Sequence, residues 1–293
     1  MKTENSVDNL SWGILVFLSL VWGCSFILIK KSLISFDPVQ LGCLRLGISS
    51  VAFAPIVWWH RQNIIWGDWK KFLAIGLTGS GIPAFLFAFA QTEISSSIAG
   101  LLNSLTPIWT LLIGIYLFKL RFTSTKLVGI IFGFIGASTL ILLGSEKIFG
   151  GNPAYGLLII VATICYGSSV NMVQGFFSNT KPIIISSMSF FMIGLPAWIW
   201  LFTTDFVHVM KTDESALFSF GSVLLLSLFG TVLASILFYH LVQKTSAVFG
   251  STVTYIMPIV ALFWGFADGE VISFLHVLGM SLILFGVYIT KRN

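Results

Sequence analysis

Polar side chains inside long apolar stretches are the residues of this sequence with the clearest chemical potential. In the stretch 94–117, small and polar residues recur at helical spacing on one face, and the stretch 247–267 repeats that arrangement. A polar face in such surroundings predicts either close helix packing or the wall of a polar pathway. The members are Ser96, Gly100, Asn103, Pro107 and Thr110 on the first face, and Ala247, Ser251, Thr254, Pro258 and Ala261 on the second.

Two aromatic residues stand near the middle of two other apolar stretches, Trp22 in one and Tyr166 in the other. A flat ring at such a position either packs in the core or walls a cavity for an apolar or aromatic ligand. Ser25 and Ser169 follow the two rings by three residues, and Asn171 adds an amide to the second stretch. We predict that these five residues border the same pathway.

Three basic side chains mark places where charge meets apolar sequence. Arg45 stands about two turns into its stretch, where a guanidinium is costly unless paired or hydrated. It either meets the carboxylate of a ligand or extends toward the water interface near Asp37, and Lys30 has the same alternatives. His240 is the leading candidate for proton coupling, or an interfacial residue that only packs. No Asp or Glu falls in the middle of a stretch, so we expect a facilitator or exchanger.

Composition places the chain in a membrane. Of its 293 residues, 56% are hydrophobic and 9% are charged, whereas soluble domains carry about 25% charged residues. No basic run is long enough to follow the phosphates of a nucleic acid, so we predict no nucleic-acid partner. Cys24, Cys43 and Cys165 form no CxxC pair, and we therefore predict no disulfide framework, metal site or cofactor.

Apolar runs between charged or turn-rich gaps predict an all-α polytopic membrane protein with ten transmembrane helices. A tail, 1–11, precedes the first half, 12–144. A loop, 145–152, leads to the second half, 153–290, and 291–293 form the C-terminal tail. The predicted spans are 12–30, 38–59, 69–90, 94–117, 124–144, 153–174, 182–202, 217–241, 247–267 and 271–290.

The two halves match each other at a nearly constant offset. Residues 22–25 match 166–169 at an offset of 144, and Pro107 matches Pro258 at an offset of 151. Five helices is an odd number, so the second copy begins on the opposite side of the membrane and the halves form inverted repeats. Pro107 and Pro258 each free a backbone carbonyl and allow a bend, which makes them candidate gating elements.

Short motifs are spread along both halves. They are Trp22-Gly23-Cys24-Ser25-Phe26 with Lys30, Pro38 with Arg45, Ser95-Ser96-Ser97 with Pro107, and Pro258 with Gly269-Glu270. With these motifs the sequence resembles the EamA-type permeases of the drug/metabolite transporter superfamily over nearly its whole length. The resemblance implies a secondary transporter of small metabolites, amino acids among them, that works by alternating access in the cell membrane.

One position departs from the family pattern. Lys119-Leu120-Arg121 stands in the first half where such repeats often carry a Gly-Glu pair. This departure leaves two roles open for Glu270: a functional one, or only the ending of a helix.

Two other classes of protein stay open on the residues alone. An intramembrane enzyme needs a Ser–His pair, a metal cluster or an acidic site inside the helices, and the sequence has no HExxH or Asp-rich motif. A membrane receptor or scaffold is the other alternative. We expect a transporter that is not an enzyme, with a small-molecule substrate and the lipid bilayer as partners.

Gly129 and Gly133 predict a close helix contact, within the fold or in a homodimer.

Orientation follows from the distribution of Lys and Arg. With the N-terminus in the cytoplasm, eleven of them fall in inner segments and four in outer ones, the bias that membrane proteins show. Both termini are therefore predicted to be cytoplasmic.

In a variant without native cysteines, a cysteine at Glu146 should react with an impermeant maleimide from outside, and one at Ser124 only from inside. The reverse pattern would show that the orientation is wrong.

Overall fold

The structure is a computed structural model that describes residues 8–118, 128–129, 131–136 and 151–291. In these ranges all regular structure is helical, and eight helices are long and apolar enough to cross a membrane. A ninth helix, α9, spans Phe274–Lys291. The eight are α1 Asn9–Ser32, α2 Pro38–His60, α3 Trp66–Ala90, α4 Ser96–Leu117, α5 Pro153–Phe176, α6 Pro182–Leu201, α7 Ala216–Lys244 and α8 Ala247–Ala267.

Nine of the predicted spans coincide with these helices, with boundaries shifted by a few residues. Most of the tenth span, 124–144, lies outside the described residues. The parts of it that are described, 128–129 and 131–136, are helical. The motif 119–121 and the two labelling positions, Ser124 and Glu146, also lie outside them.

Side-chain caps fix where several helices begin. At the start of α2, Asp37 and Gln40 form a capping box, in which each side chain bonds the backbone of the other. Ser95 caps α4, Ser246 caps α8, and Asp8 caps α1. These oxygens accept from backbone N–H groups that have no partner inside the helix. The caps therefore hold the helix starts at the ends of the bundle.

Four helices are irregular near the middle of the bundle. α3 widens into a π-helix at Leu77–Gly81, and α7 does so at Leu228–Leu233. α4 is interrupted after Asn103, and α8 tightens into a 3₁₀ turn at Thr252–Tyr255 just before Pro258. Such distortions leave backbone carbonyls without their usual intrahelical partners. Neighbouring polar side chains are therefore needed here, and the site lies where they collect.

Helix packing brings the halves into contact across the bundle. α2 packs along α6, where Trp198 Nε1 donates to the Gly47 carbonyl at 3.0 Å and Phe53 stacks on Phe190 with ring centroids 5.5 Å apart. Outward faces carry exposed apolar residues such as Trp59, which is 84% exposed. Since these faces are apolar, they suit contact with lipid.

The small-residue pattern at Gly129 and Gly133 makes contacts within the chain. A β-carbon at Gly286 of α9 would lie 2.4 Å from the Gly129 carbonyl oxygen, and one at Gly133 would lie 2.0 Å from Ile108 Cδ1. Gly133 thus lies close to α4 and Gly129 close to α9, a helix contact within the fold of the kind that the sequence predicts.

Candidate functional site

A cavity of about 110 Å³ lies between the helices, and all eight membrane-crossing helices contribute to its lining. An engineered cavity of about 150 Å³ in another protein holds benzene, so this volume suits a small organic molecule. The lining combines aromatic rings with hydroxyl groups and one charged side chain. Its predicted members are Trp22, Ser25, Arg45, Asn103, Tyr166, Ser169, Ser251 and Thr254.

Trp22 forms one wall of the cavity and is tied to the opposite half of the chain. Its Nε1 donates to the Gly230 carbonyl at 2.7 Å. The ring packs edge-on against Phe238 with centroids 5.0 Å apart. Gly230 belongs to the π-helix of α7, so the distorted backbone supplies the acceptor for this partly buried indole. Trp22 is therefore held in a fixed orientation at the cavity.

Two close crossings connect the third helix of each half to the first helix of the other. A β-carbon at Gly79, in the π-helix of α3, would lie 2.6 Å from Ser169 Oγ. A β-carbon at Gly230, in the π-helix of α7, would lie 3.0 Å from Ser25 Oγ. Neither position accepts a side chain unless the serine moves. The two serines match at the offset of 144, and both crossings border the cavity.

The carbonyls freed by the two prolines are satisfied by hydroxyl groups. Pro107 lacks the N–H that would bond the Asn103 carbonyl, and Thr106 Oγ1 donates to that carbonyl at 2.8 Å. Pro258 likewise frees the carbonyl of Thr254, which accepts a hydrogen bond from Ser104 Oγ at 3.1 Å. The prediction that each proline frees a carbonyl agrees with these contacts. A gating role for the prolines stays a prediction.

Asn103 presents an amide to the cavity, and its oxygen has no partner among the described residues. The side chain is 3% exposed, and Oδ1 accepts no hydrogen bond. Nδ2 lies 3.8 Å from Met257 Sδ, which is a weak acceptor. Because a buried amide oxygen is costly to leave unpaired, this atom is suited to a donor on a bound molecule.

Arg45 also lines the cavity, and it is only 8% exposed. Its Nε donates to Thr231 Oγ1 at 3.0 Å, and Thr231 belongs to the π-helix of α7. None of the described carboxylates forms an ion pair with it. The alternative in which Arg45 extends to the water interface is therefore wrong, because its head group is enclosed between α2 and α7.

Other predicted pathway residues lie away from the cavity lining. Gly100 packs against α8, where an added β-carbon would meet Ala261 Cβ at 2.4 Å. Asn171 donates to the Thr110 carbonyl of α4 at 2.9 Å, which holds α5 against α4, and to the Gly167 carbonyl of its own helix at 2.8 Å. Ser96 binds Glu270 at one end of the bundle. These three residues are engaged in helix–helix contacts.

The histidines differ from the sequence prediction in one respect. His240 is exposed on the surface of α7. His276, which the sequence analysis overlooked inside the last predicted span, is 1% exposed. Its Nδ1 accepts from the Ser273 backbone N–H at 3.1 Å and lies 2.9 Å from Ser273 Oγ. Neither of these two histidines lines the cavity, and a role of His240 in proton coupling stays a prediction.

Glu270 caps a helix other than the one it follows. Gly269 turns the chain with a φ of +83°. The two carboxylate oxygens of Glu270 then accept from both the backbone N–H and the hydroxyl of Ser96 and of Ser97, at 2.6–3.0 Å. These are first-turn donors of α4, where a negative charge is favourable. Glu270 therefore does more than end α8.

Lys30 completes this cluster as an ion-pair partner. Its Nζ lies 2.9 Å from Glu270 Oε1 and 2.8 Å from Asp268 Oδ2, and Lys31 also pairs with Asp268. Burial opposes the ionisation of Glu270, but the hydrogen bonds from Ser97 and Lys30 outweigh it and lower the pKa of this carboxyl below its ordinary value. The cluster is therefore charged at neutral pH and joins α1, α4 and the loop after α8.

The opposite end of the bundle has its own polar contacts. Lys244 at the end of α7 lies 2.7 Å from Asp8, the cap of α1. Gln243 Nε2 donates to the carbonyls of Phe177 and Thr180 at 2.6 and 2.7 Å. α1 is thus ion-paired to the second half of the chain at both of its ends.

The comparison with protein families decides the class. The model of the EamA-like transporter family matches residues 10–142 and again 154–292. This protein belongs to the EamA-like transporter family. It is accordingly a multi-pass membrane protein of a transporter family, as the sequence motifs suggested.

Relatives in this family extend over almost the whole chain. An uncharacterized transporter of Archaeoglobus fulgidus is 27% identical over 96% of this chain and 99% of its own length. The uncharacterized inner membrane transporter YedA of Escherichia coli K12 is 24% identical over 94% of this chain and 89% of its own. A crystal structure with 17% identity covers 96% of this chain and 97% of that one, with a TM-score of 0.64, and shows the same fold.

Replacing Glu270 tests the cap. Glu270→Gln removes the charge that α4 and Lys30 bind, and we expect it to destabilise the purified protein by about 1–3 kcal/mol at neutral pH. Because the folded-state pKa is lowered, this contribution is complete above the unfolded pKa and disappears as the pH falls through the folded one. The measurement is thermal unfolding in detergent at several pH values. Glu214→Gln, at an exposed position, is the control; equal unfolding temperatures for the two variants at neutral pH would refute the role.

Proposed function

We propose that this protein is a secondary transporter that carries a small metabolite across the cell membrane by alternating access between two inverted five-helix repeats. The observation that carries the proposal is a cavity of molecular size, reached by all eight membrane-crossing helices and bordered by residues from both halves. Secondary transporters bind their substrates at such a place, between repeats and beside interrupted helices.

Several features support the repeat. The family model matches each half separately. The π-helices lie in the third helix of each half and the proline-associated interruptions in the fourth. The crossing of Gly79 with Ser169 also has a counterpart in the crossing of Gly230 with Ser25, in which the roles of the two halves are interchanged. With a fifth helix in the first half, the total would be ten, an even number that puts both termini on one side of the membrane. The excess of Lys and Arg in the inner segments makes that side the cytoplasm.

Alternating access requires that the contacts at the two ends open in turn. The Lys30–Glu270 cluster lies at one end of α1 and the Asp8–Lys244 pair at the other. The Asp8–Lys244 pair is partly exposed, so water can replace it at modest cost. In the cluster, Lys30 is the more exposed partner and can separate from Glu270 while the cap on α4 stays in place. We therefore assign to them the closing of the two entrances, with bending at Pro107 and Pro258.

The enzyme alternative lacks a catalytic group at the cavity. The described lining contains serines but no His, Asp, Glu or Cys that would serve as a base or nucleophile partner. The family membership favours transport, and amino acids belong in the first panel of substrates to test.

The cavity assignment is tested by transport. Trp22→Leu and Asn103→Leu should each lower counterflow of a transported compound in proteoliposomes by roughly tenfold or more, because each removes a polar contact at the site. Trp59→Leu and Asn63→Leu change the same residue types at exposed positions and should transport normally. Normal flux in both cavity variants would place the substrate elsewhere, and no flux of any compound in the wild type would contradict the transporter proposal itself.

Energy coupling is tested with a pH gradient. No acidic residue appears in the described lining of the cavity, so we expect substrate to equilibrate without accumulation. Uptake is compared with and without an imposed gradient, in the wild type and in His240→Gln. Accumulation that disappears in His240→Gln would assign proton coupling to that histidine, and accumulation that survives would reveal a different coupling group.

A further inference from the structure

The guanidinium of Arg45 is a buried positive charge without a negative partner among the described residues. The ion pairs in those ranges join Lys30, Lys31, Lys71 and Lys244 to acidic residues at helix ends, and none includes Arg45. A charge inside a membrane protein is costly unless it is paired or hydrated. Arg45 is retained at the cavity wall despite this cost, and the cavity is the space from which a counter-charge can come.

The hydrogen bond from Nε to Thr231 orients the guanidinium. With Nε engaged at 3.0 Å, the two terminal nitrogens are left for another partner. Two parallel N–H donors match the two oxygens of a carboxylate. The π-helix that contains Thr231 therefore positions the fork of Arg45 for a planar anion.

The rest of the lining indicates which chemical groups the remainder of that anion can carry. Trp22, Phe26, Phe87 and Phe238 offer apolar surface, and Asn103 Oδ1 offers one neutral acceptor. No acidic side chain in the described lining is available for an ammonium group. A monoanion would make the occupied site electrically neutral, whereas a zwitterion would leave a net positive charge in a region of low dielectric constant.

We propose that the cavity selects a small organic monoanion, whose single carboxylate binds Arg45 and whose apolar body lies against the aromatic wall, in preference to a zwitterion. This inference rests on the proposed transport function. It also explains why an arginine with no acidic partner in the described parts of the chain stands at this position.

Binding by a matched series of compounds tests the selection. The probes are butyrate, 2-aminobutyrate, propylamine and 1-butanol, which suit a cavity smaller than the one that holds benzene, with acetate and propionate as smaller monocarboxylates. We expect monocarboxylates to raise the unfolding temperature of the purified protein and to exchange in counterflow, with weaker effects from 2-aminobutyrate and none from the amine or alcohol. Arg45→Gln should weaken carboxylate binding by roughly 10- to 100-fold, because a charge-assisted hydrogen bond is lost. Arg61→Gln, which removes an exposed arginine at the end of α2, should not.

The stability of the ligand-free protein separates binding from a structural role. If Arg45 awaits an anion, Arg45→Met should unfold at the same or a higher temperature than the wild type without ligand, because an unpaired buried charge is removed. A clear loss of stability in Arg45→Met would make Arg45 structural and overturn the inference. So would equal binding of 2-aminobutyrate and butyrate, or no binding by any monocarboxylate. Transport of another compound in that case would leave the proposed transport function intact.

Discussion

Backbone carbonyls inside a bilayer must find donors, and the centre of this protein is organised around that requirement. The two prolines and the two π-helices release carbonyls at the level of the cavity. Thr106 and Ser104 donate to the carbonyls that the prolines free, and Trp22 donates to the carbonyl of Gly230. Since no water is available in hydrocarbon, irregular backbone is tolerated only where such donors are at hand. Two of these three donors, Trp22 and Thr106, also line the cavity, so the candidate site lies where the irregular backbone is stabilised.

Much of the architecture was readable from the sequence because membrane helices have a strong compositional signal. Trp22 and Tyr166 were expected at a cavity from their mid-span location and matching offset, and Asn103 from the helical spacing of polar residues; all three line the cavity. The environment of Arg45 did not, because depth along one helix does not say which neighbour covers it. The partner of Glu270 could not be read either, since the donors at Ser96 and Ser97 lie more than 170 positions away in the chain.

The π-helices were beyond prediction for a related reason. No residue type specifies a π-helix, and its extra residue is stabilised here by contacts from other helices. Gly79 and Gly230 permit the close approach to Ser169 and Ser25, but a glycine within an apolar helix has many other uses. The halves also differ in charge: the position that matches Arg45 at the offset of 144 is Ser189, and Thr231 matches Ser80. In the proposed repeat the charge therefore stands in one half only, and the matching position carries a neutral hydroxyl group.

The ion pairs at the two ends of α1 have a further consequence. One end is bound through Lys30 to Asp268 and Glu270, and the other through Asp8 to Lys244. A helix that crosses the membrane exposes these ends to two different solutions. The Debye length at physiological ionic strength is about 8 Å, which is short compared with the thickness of a membrane, so the salt on one side acts on the charges of that side. Electrolyte added to one compartment therefore weakens the pair on that side and leaves the other unchanged. Under the proposed closing role, a difference in ionic strength between the compartments therefore shifts the balance between the two closures, most of all through the more exposed Asp8–Lys244 pair.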